Sequence, residues 1–176
     1  LQTLIRDVFR DHQRIIFNGN GYEAAWLEEA KRRGLENFSC TADALQHYAD
    51  QKHIDLFVKH GIYTEEEFRA RSEIHLENYC KVIHIEALTM VDMVKRDIYP
   101  AVCTYMRQVA DTIVSKKAAI TSIPCASEER LLRRLSDLSD KMMAACERLE
   151  AALPGLPGGR AEDQAHYYRY SVFARM

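Results

Sequence analysis

Glu77, Cys80 and His84 have the spacing of metal ligands, because residues at i, i+3 and i+7 share one face of a helix. A further ligand would have to come from another helix, and no second cluster marks one. Packing and ordinary polar contacts are therefore the preferred reading of these three. Asn18-Gly19-Asn20-Gly21 stands just before a predicted helix, where backbone N–H groups can hold a phosphate. It lacks the lysine of a P-loop and the full spacing of a dinucleotide fingerprint, which favours a tight turn. His84, Glu86 and Asp92 include acid–base side chains, but no nucleophile or glycine-rich elbow accompanies them. Asp92 and Arg96 stand at i, i+4 and read as an ordinary helix pair. Tyr167-Tyr168-Arg169-Tyr170 has the aromatic density to stack bases, yet no basic groove goes with it. A helix face docked on a bundle is the better reading. The expectation is no catalytic, cofactor-binding or metal residue, and no bound cofactor, within this stretch.

The elements that must position these side chains are helical. Thr64 to Lys117 contains no glycine and one proline, Pro100. Thr64 and Glu67 form a capping-box pair, with Tyr63 and Phe68 at the positions of a hydrophobic staple. Apolar residues then recur at helical spacing through Phe68, Leu76, Tyr79, Ile83, Ala87, Met90 and Val94, and onward through Ala101, Tyr105, Val109 and Ile113. Lys116 and Lys117 suit the last turn. Unbroken, such a helix is on the order of 80 Å long, so Pro100 is expected to kink or divide it. Ser127 is expected to cap a following helix with Glu128 and Glu129 in its first turn. There, Leu131, Leu135, Leu138, Met142, Ala145, Leu149 and Leu153 write a heptad seam that predicts antiparallel packing along the central helix. Pro154 to Gly159 reads as a loop, and Ala161 to Met176 as a last helix.

Toward the N-terminus, Leu4, Ile5, Val8 and Phe9 mark one face of a short helix over residues 1–12. Arg14 to Phe17 is the one plausible strand. Tyr22 to Arg33 reads as a helix closed by Gly34. Thr41 is expected to cap another helix, and Lys52 to His60 to form one more, stopping at Gly61. The fold class is thus all-α: a bundle built on one long helix against a heptad-patterned antiparallel helix, with short N-terminal helices and at most one short strand.

Composition narrows the function classes. With 47% hydrophobic residues and a net charge of −2 over 176 residues, the chain can build a core but offers no electrostatic case for nucleic acid or an acidic membrane. The five cysteines form no CxxC or zinc-type spacing and read as free thiols of a cytoplasmic protein. No apolar run approaches the ~20 residues of a membrane span, and no signal peptide is expected. Leu1 in place of an initiator methionine, and Met176 in mid-helix, read as the ends of a piece of a longer chain.

Two stretches carry a family likeness. One is Arg14-Ile15-Ile16-Phe17-Asn18-Gly19-Asn20-Gly21-Tyr22 with Trp26, Glu29-Ala30 and Arg33-Gly34-Leu35. The other is Glu73-Ile74 and Leu76-Glu77-Asn78-Tyr79, continuing through Ile85-Glu86-Ala87-Leu88-Thr89-Met90 to Pro100-Ala101-Val102. Together they resemble the C-terminal part of type III glutamine synthetase, and more loosely the resemblance runs on to Tyr167-Tyr168. It implies a parent ligase of nitrogen metabolism that joins ammonia to glutamate through a γ-glutamyl phosphate, with ATP and Mg or Mn as cofactors. It also implies that the reactive groups sit N-terminal to this stretch. Residues 1–35 would be the C-terminal edge of the catalytic domain, and residues 36–176 a helical extension. The expected partners are the remainder of the same polypeptide and, in stacked rings, further copies; neither nucleic acid nor membrane is expected. The alternative is a free-standing helical interaction module with no enzymatic parent, its heptad face binding a partner helix.

Overall fold

The computed structural model describes residues 1–155 and 158–176, apart from the side chain of Ile15. Among the described residues there is no strand or sheet. The chain forms two compact units, Leu1–Ala44 and Leu45–Met176, the change falling within one short helix.

In the first unit, α1 (Gln2–Asp11) is followed by a 3-10 turn over Gln13–Ile15 and by α2 (Ala24–Arg32). The strand expected over Arg14 to Phe17 does not form. Its first residues are in the 3-10 turn and Ile16 is extended (φ −92°, ψ 126°), but no second strand is present to pair with. Instead, the Arg33 guanidinium donates to the carbonyls of Arg14 and Ile16, two positions that a neighbouring strand would otherwise engage. The Phe17 ring lies 4.6 Å from that of Trp26, and a Cβ on Gly19 would sit 2.4 Å from Phe17 Cζ, so a larger residue there would have to displace the ring. Gly34 takes φ +71° at the end of α2. Its N–H bonds to Lys31 O at 3.1 Å and Leu35 N–H to Ala30 O at 2.9 Å, the paired bonds of a Schellman motif.

The second unit is built on a 55-residue helical rod. It comprises α5 (Glu65–Met93), a π turn (Val94–Ile98) and α6 (Tyr99–Ala119), after the short helices α3 (Thr41–Gln46) and α4 (Gln51–Lys59). Thr41 is the first helical residue of α3 rather than its cap. The rod starts as the sequence predicts. Glu67 N–H bonds to Thr64 Oγ1 at 3.2 Å, the Thr64 N–H returns to the Glu67 carboxylate at 2.8 Å, and the Tyr63 and Phe68 rings lie 6.1 Å apart. Phe68 is also 4.9 Å from both Tyr48 and Phe57, which joins α4 to the start of α5 in one aromatic cluster.

Pro100 does not divide the rod. It lacks an N–H and its ring would crowd a carbonyl one turn back; the π turn immediately before it loosens that turn, with Tyr99 N–H reaching Val94 O. The extra residue rotates everything beyond it. The inward stripe therefore runs Ala87, Val91, Val94, then Tyr99, Val102, Met106, Val109 and Ile113. Ala101 and Tyr105, expected inside, are exposed, as is Met90.

Helix α7 (Ala126–Ala152) returns antiparallel to α6. Lys116 pairs with Glu128, Lys117 with Glu129 at 2.8 Å, and Lys95 with Glu150 at 2.6 Å, a register running in opposite directions along both helices. Ser127 does not cap α7. Cys125 occupies the N-cap position without a side-chain bond to the helix N–H groups, and Ser127 lies in the first turn. The heptad seam is kept only in part. Leu149 and Leu153 are buried and Leu135, Met142 and Ala145 half-buried as expected, but Leu131 and Leu138 face outward, and Ser139, Cys146 and Ala152 join the buried line. Ser139 is tolerated there because its hydroxyl donates to Leu135 O at 2.8 Å.

The expected loop begins later than Pro154: Leu153–Gly155 is a 3-10 turn that prolongs α7. The part of that loop at Leu156 and Pro157 lies outside the described residues. The chain ends in α8 (Ala161–Tyr167), a second π turn (Tyr168–Val172) and a 3-10 turn (Phe173–Arg175), packed on α5 and α7. Ile54, Phe68, Leu76 and Val172 are the largest fully buried side chains, each worth about 1.5–3 kcal/mol of burial.

Candidate functional site

The residues first singled out for chemistry line a cleft of about 420 Å³ in the second unit. Glu77, Cys80, Lys81 and His84 come from α5, while Ala161, Gln164 and Tyr168 come from the α8 side. The three candidate metal ligands do not converge. The Glu77 carboxylate accepts from Lys81 Nζ at 3.2 Å, and His84 Nδ1 is 3.0 Å from the Tyr168 hydroxyl. The Cys80 thiol is buried, and burial pushes it up, away from the thiolate a metal requires. Among the described residues no group of three His, Cys, Asp or Glu side chains is placed to share an ion. Burial, reinforced by Cys80, pushes the Tyr168 phenol up as well, so it stays a neutral partner for His84. The cleft thus holds a partly buried polar pair that fastens α8 to α5.

The other candidates are dispersed. Glu86 borders a separate apolar groove of about 480 Å³ lined by Ile85, Met90, Met93, Val94 and Ile98, and Asp92 is held by Arg96 at 2.7 Å. His84, Glu86 and Asp92 therefore share no site. Tyr167 and Tyr168 dock on the bundle as expected, Tyr167 OH donating to Ala152 O at 2.8 Å, whereas Tyr170 is exposed, its ring 4.5 Å from that of His166 one turn earlier in the same segment. Asn18 to Gly21 forms an Asx turn in which Asn20 Oδ1 accepts from Tyr22 N–H at 3.0 Å. Asn20 Nδ2 also holds the Glu23 carboxylate at 3.1 Å, so a negative charge already sits at the start of α2. That arrangement opposes a phosphate.

Two features escaped the sequence reading. Lys81 and Gln164 border the cleft, and only the meeting of α5 with α8 brings them together. In the first unit, Arg33 works with Glu29, which accepts from both Arg32 and Arg33; these bonds hold the Glu29 carboxyl down to about 2. Arg33, Phe9, Gln13, Ile16 and Asn18 line an open cleft of about 540 Å³. The i, i+4 spacing of Glu29 and Arg33 was visible beforehand, but the carbonyls that Arg33 serves were not.

Residues 1–117 match the model of the glutamine synthetase C-terminal domain. The chain belongs to that family. It is 37% identical over 177 residues to a glutamine synthetase of Butyrivibrio fibrisolvens, an alignment covering all of this chain and 25% of the relative. It is 38% identical over 112 residues to a type-3 glutamine synthetase of Dictyostelium discoideum, covering 64% of this chain and 15% of that protein. A glutamine synthetase of Bacteroides fragilis is 29% identical over 126 residues, 69% of this chain and 17% of the relative. The chain thus spans a quarter or less of the length of these relatives and corresponds to their C-terminal part. The family match takes in the Arg33 clamp, the whole rod to Lys117 and the α5 wall of the cleft. Helices α7 and α8 lie beyond it. No helix among the described residues of this glutamine synthetase C-terminal domain is long and apolar enough to cross a membrane.

Proposed function

We propose that this chain is the bracing and assembly portion of a longer, cytoplasmic glutamine synthetase, and that it carries none of the reactive groups itself. The parent joins ammonia to glutamate at the expense of ATP. Mg or Mn bound with the nucleotide neutralises the phosphate charge during transfer. Residues 1–35 form the closing edge of its catalytic domain and residues 36–176 the helical extension, which supports the catalytic domain and contributes contacts between copies. The observation that carries this reading is the family match over residues 1–117 in a chain that spans at most a quarter of its relatives. The side chains present do not fit a nucleotide–metal site. Glu77 and Asp92 are held by Lys81 and Arg96, His84 by a tyrosine, and the glycine-containing turn by its own carboxylate.

The test is direct. Supplied with glutamate, ammonium, ATP and Mg, this chain forms no glutamine, whereas the full-length protein does. Glutamine formed by the chain alone would overturn the assignment. Removing residues 45–176 from the full-length protein is expected to lower its mass by light scattering by more than the deleted residues account for. An unchanged subunit number would refute the assembly role.

A further inference from the structure

Helix α1 is amphipathic, and its apolar side has no cover. Leu1, Leu4, Ile5, Val8 and Phe9 recur at helical spacing on one face, while Arg6, Asp7 and Arg10 occupy the other and pair among themselves. No residue of α1 is buried; Leu4 is 63% exposed and Phe9 58%. A ten-residue helix is marginal in water on its own, because nucleation outweighs the few bonds gained, so an apolar face of this kind is stabilised by packing. The stripe carries no charge, which calls for an apolar counterpart.

We propose that the Leu4, Ile5, Val8 and Phe9 face of α1 is the surface on which the polypeptide preceding this domain docks in the full-length synthetase. The inference rests on the functional reading above and adds where the two portions meet. Three quarters of the Butyrivibrio relative lies outside the aligned region, and the family model describes a C-terminal domain, so the missing bulk joins the α1 end of the chain. A covalently attached neighbour reaches that face at a far higher effective concentration than a second copy does.

Hydrogen exchange on the full-length synthetase tests this. The α1 amides are expected to exchange at least about tenfold more slowly than in a Val8→Asp variant of the same protein, independently of protein concentration. Leu138→Asp, on an exposed position of α7, is expected to leave α1 protection unchanged. Fast exchange across α1 in the unaltered protein overturns the proposal, and this comparison stands even where Val8→Asp fails to fold. Protection that disappears on dilution assigns the face to a second copy and also overturns it. Assaying glutamine formation on the same sample separates the two claims. An active enzyme with an unprotected α1 refutes the docking face alone, and an inactive protein with a protected α1 refutes only the functional reading.

Discussion

Arg33 and Glu29 do in the first unit what a neighbouring strand would do in a sheet. The guanidinium satisfies two carbonyls of the Arg14 to Phe17 segment while the carboxylate keeps it oriented. Because hydrogen bonds from Arg32 and Arg33 lower the Glu29 carboxyl from the usual 4.5 to about 2, the folded state favours the ionised form. The sign follows: this contribution is complete above pH 4.5 and is lost as pH falls toward 2. The resonances of Phe17 and Trp26 are expected to change over that window by NMR and to hold steady in Glu29→Gln, where the contribution is missing at every pH. A second residue-scale prediction concerns Tyr168. Tyr168→Phe removes the hydroxyl that meets His84 Nδ1, strands a partly buried ring nitrogen, and is expected to cost about 1 kcal/mol in urea unfolding. The sequence showed both aromatic words but not the long-range partners. Arg33 and Arg14 are 19 positions apart, and Tyr168 and His84 are 84 apart. Spacing rules reach only one or two helical turns.

At the scale of the element, local chemistry predicted the helix ends better than the helix faces. The Thr64 capping box and the glycines at the ends of α2 and α4 act through neighbours a few residues away, so their residue types suffice. Thr41 and Ser127 also had the right type but fell one or two positions inside the helix. Faces depend on where partners lie. On α7 the leucine heptad holds at Leu149 and Leu153 but not at Leu131 and Leu138, and Ser139 and Cys146 enter the packed line, because the later half of the helix meets α5 as well as α6. Leu149→Ala is accordingly expected to cost about 2–5 kcal/mol, whereas Leu138→Ala stays within about 0.5 kcal/mol. Equal losses in urea melts would return the seam to its leucine phase. The charged pairs along the α6 and α7 hairpin are expected to set register more than stability. Exchanging Lys117 and Glu129 together is expected to preserve the melting temperature, and raising salt to screen whatever the pair contributes.

For the whole molecule, the all-α class was legible because long glycine-free runs with helical period leave no alternative. The family could be read from the words around Phe17 to Tyr22 and Glu86 to Met90. The functional role was less accessible: in the role proposed above, a domain supporting a distant reaction would display packing surfaces rather than a reactive cluster. The π turn ahead of Pro100 bears on how such a rod can vary. A single residue deleted between Lys95 and Ile98 would close the five-residue step from Val94 to Tyr99 to an ordinary four, leaving α6 still facing α7. It would also return the proline ring to its clash with the preceding turn. The surplus residue and the imino acid are thus a matched pair: deleting the residue and replacing the proline with an ordinary helix former should yield a smooth rod with its seam intact, whereas deleting the residue alone should strain it. Length polymorphism at this spot should therefore travel with loss of the proline.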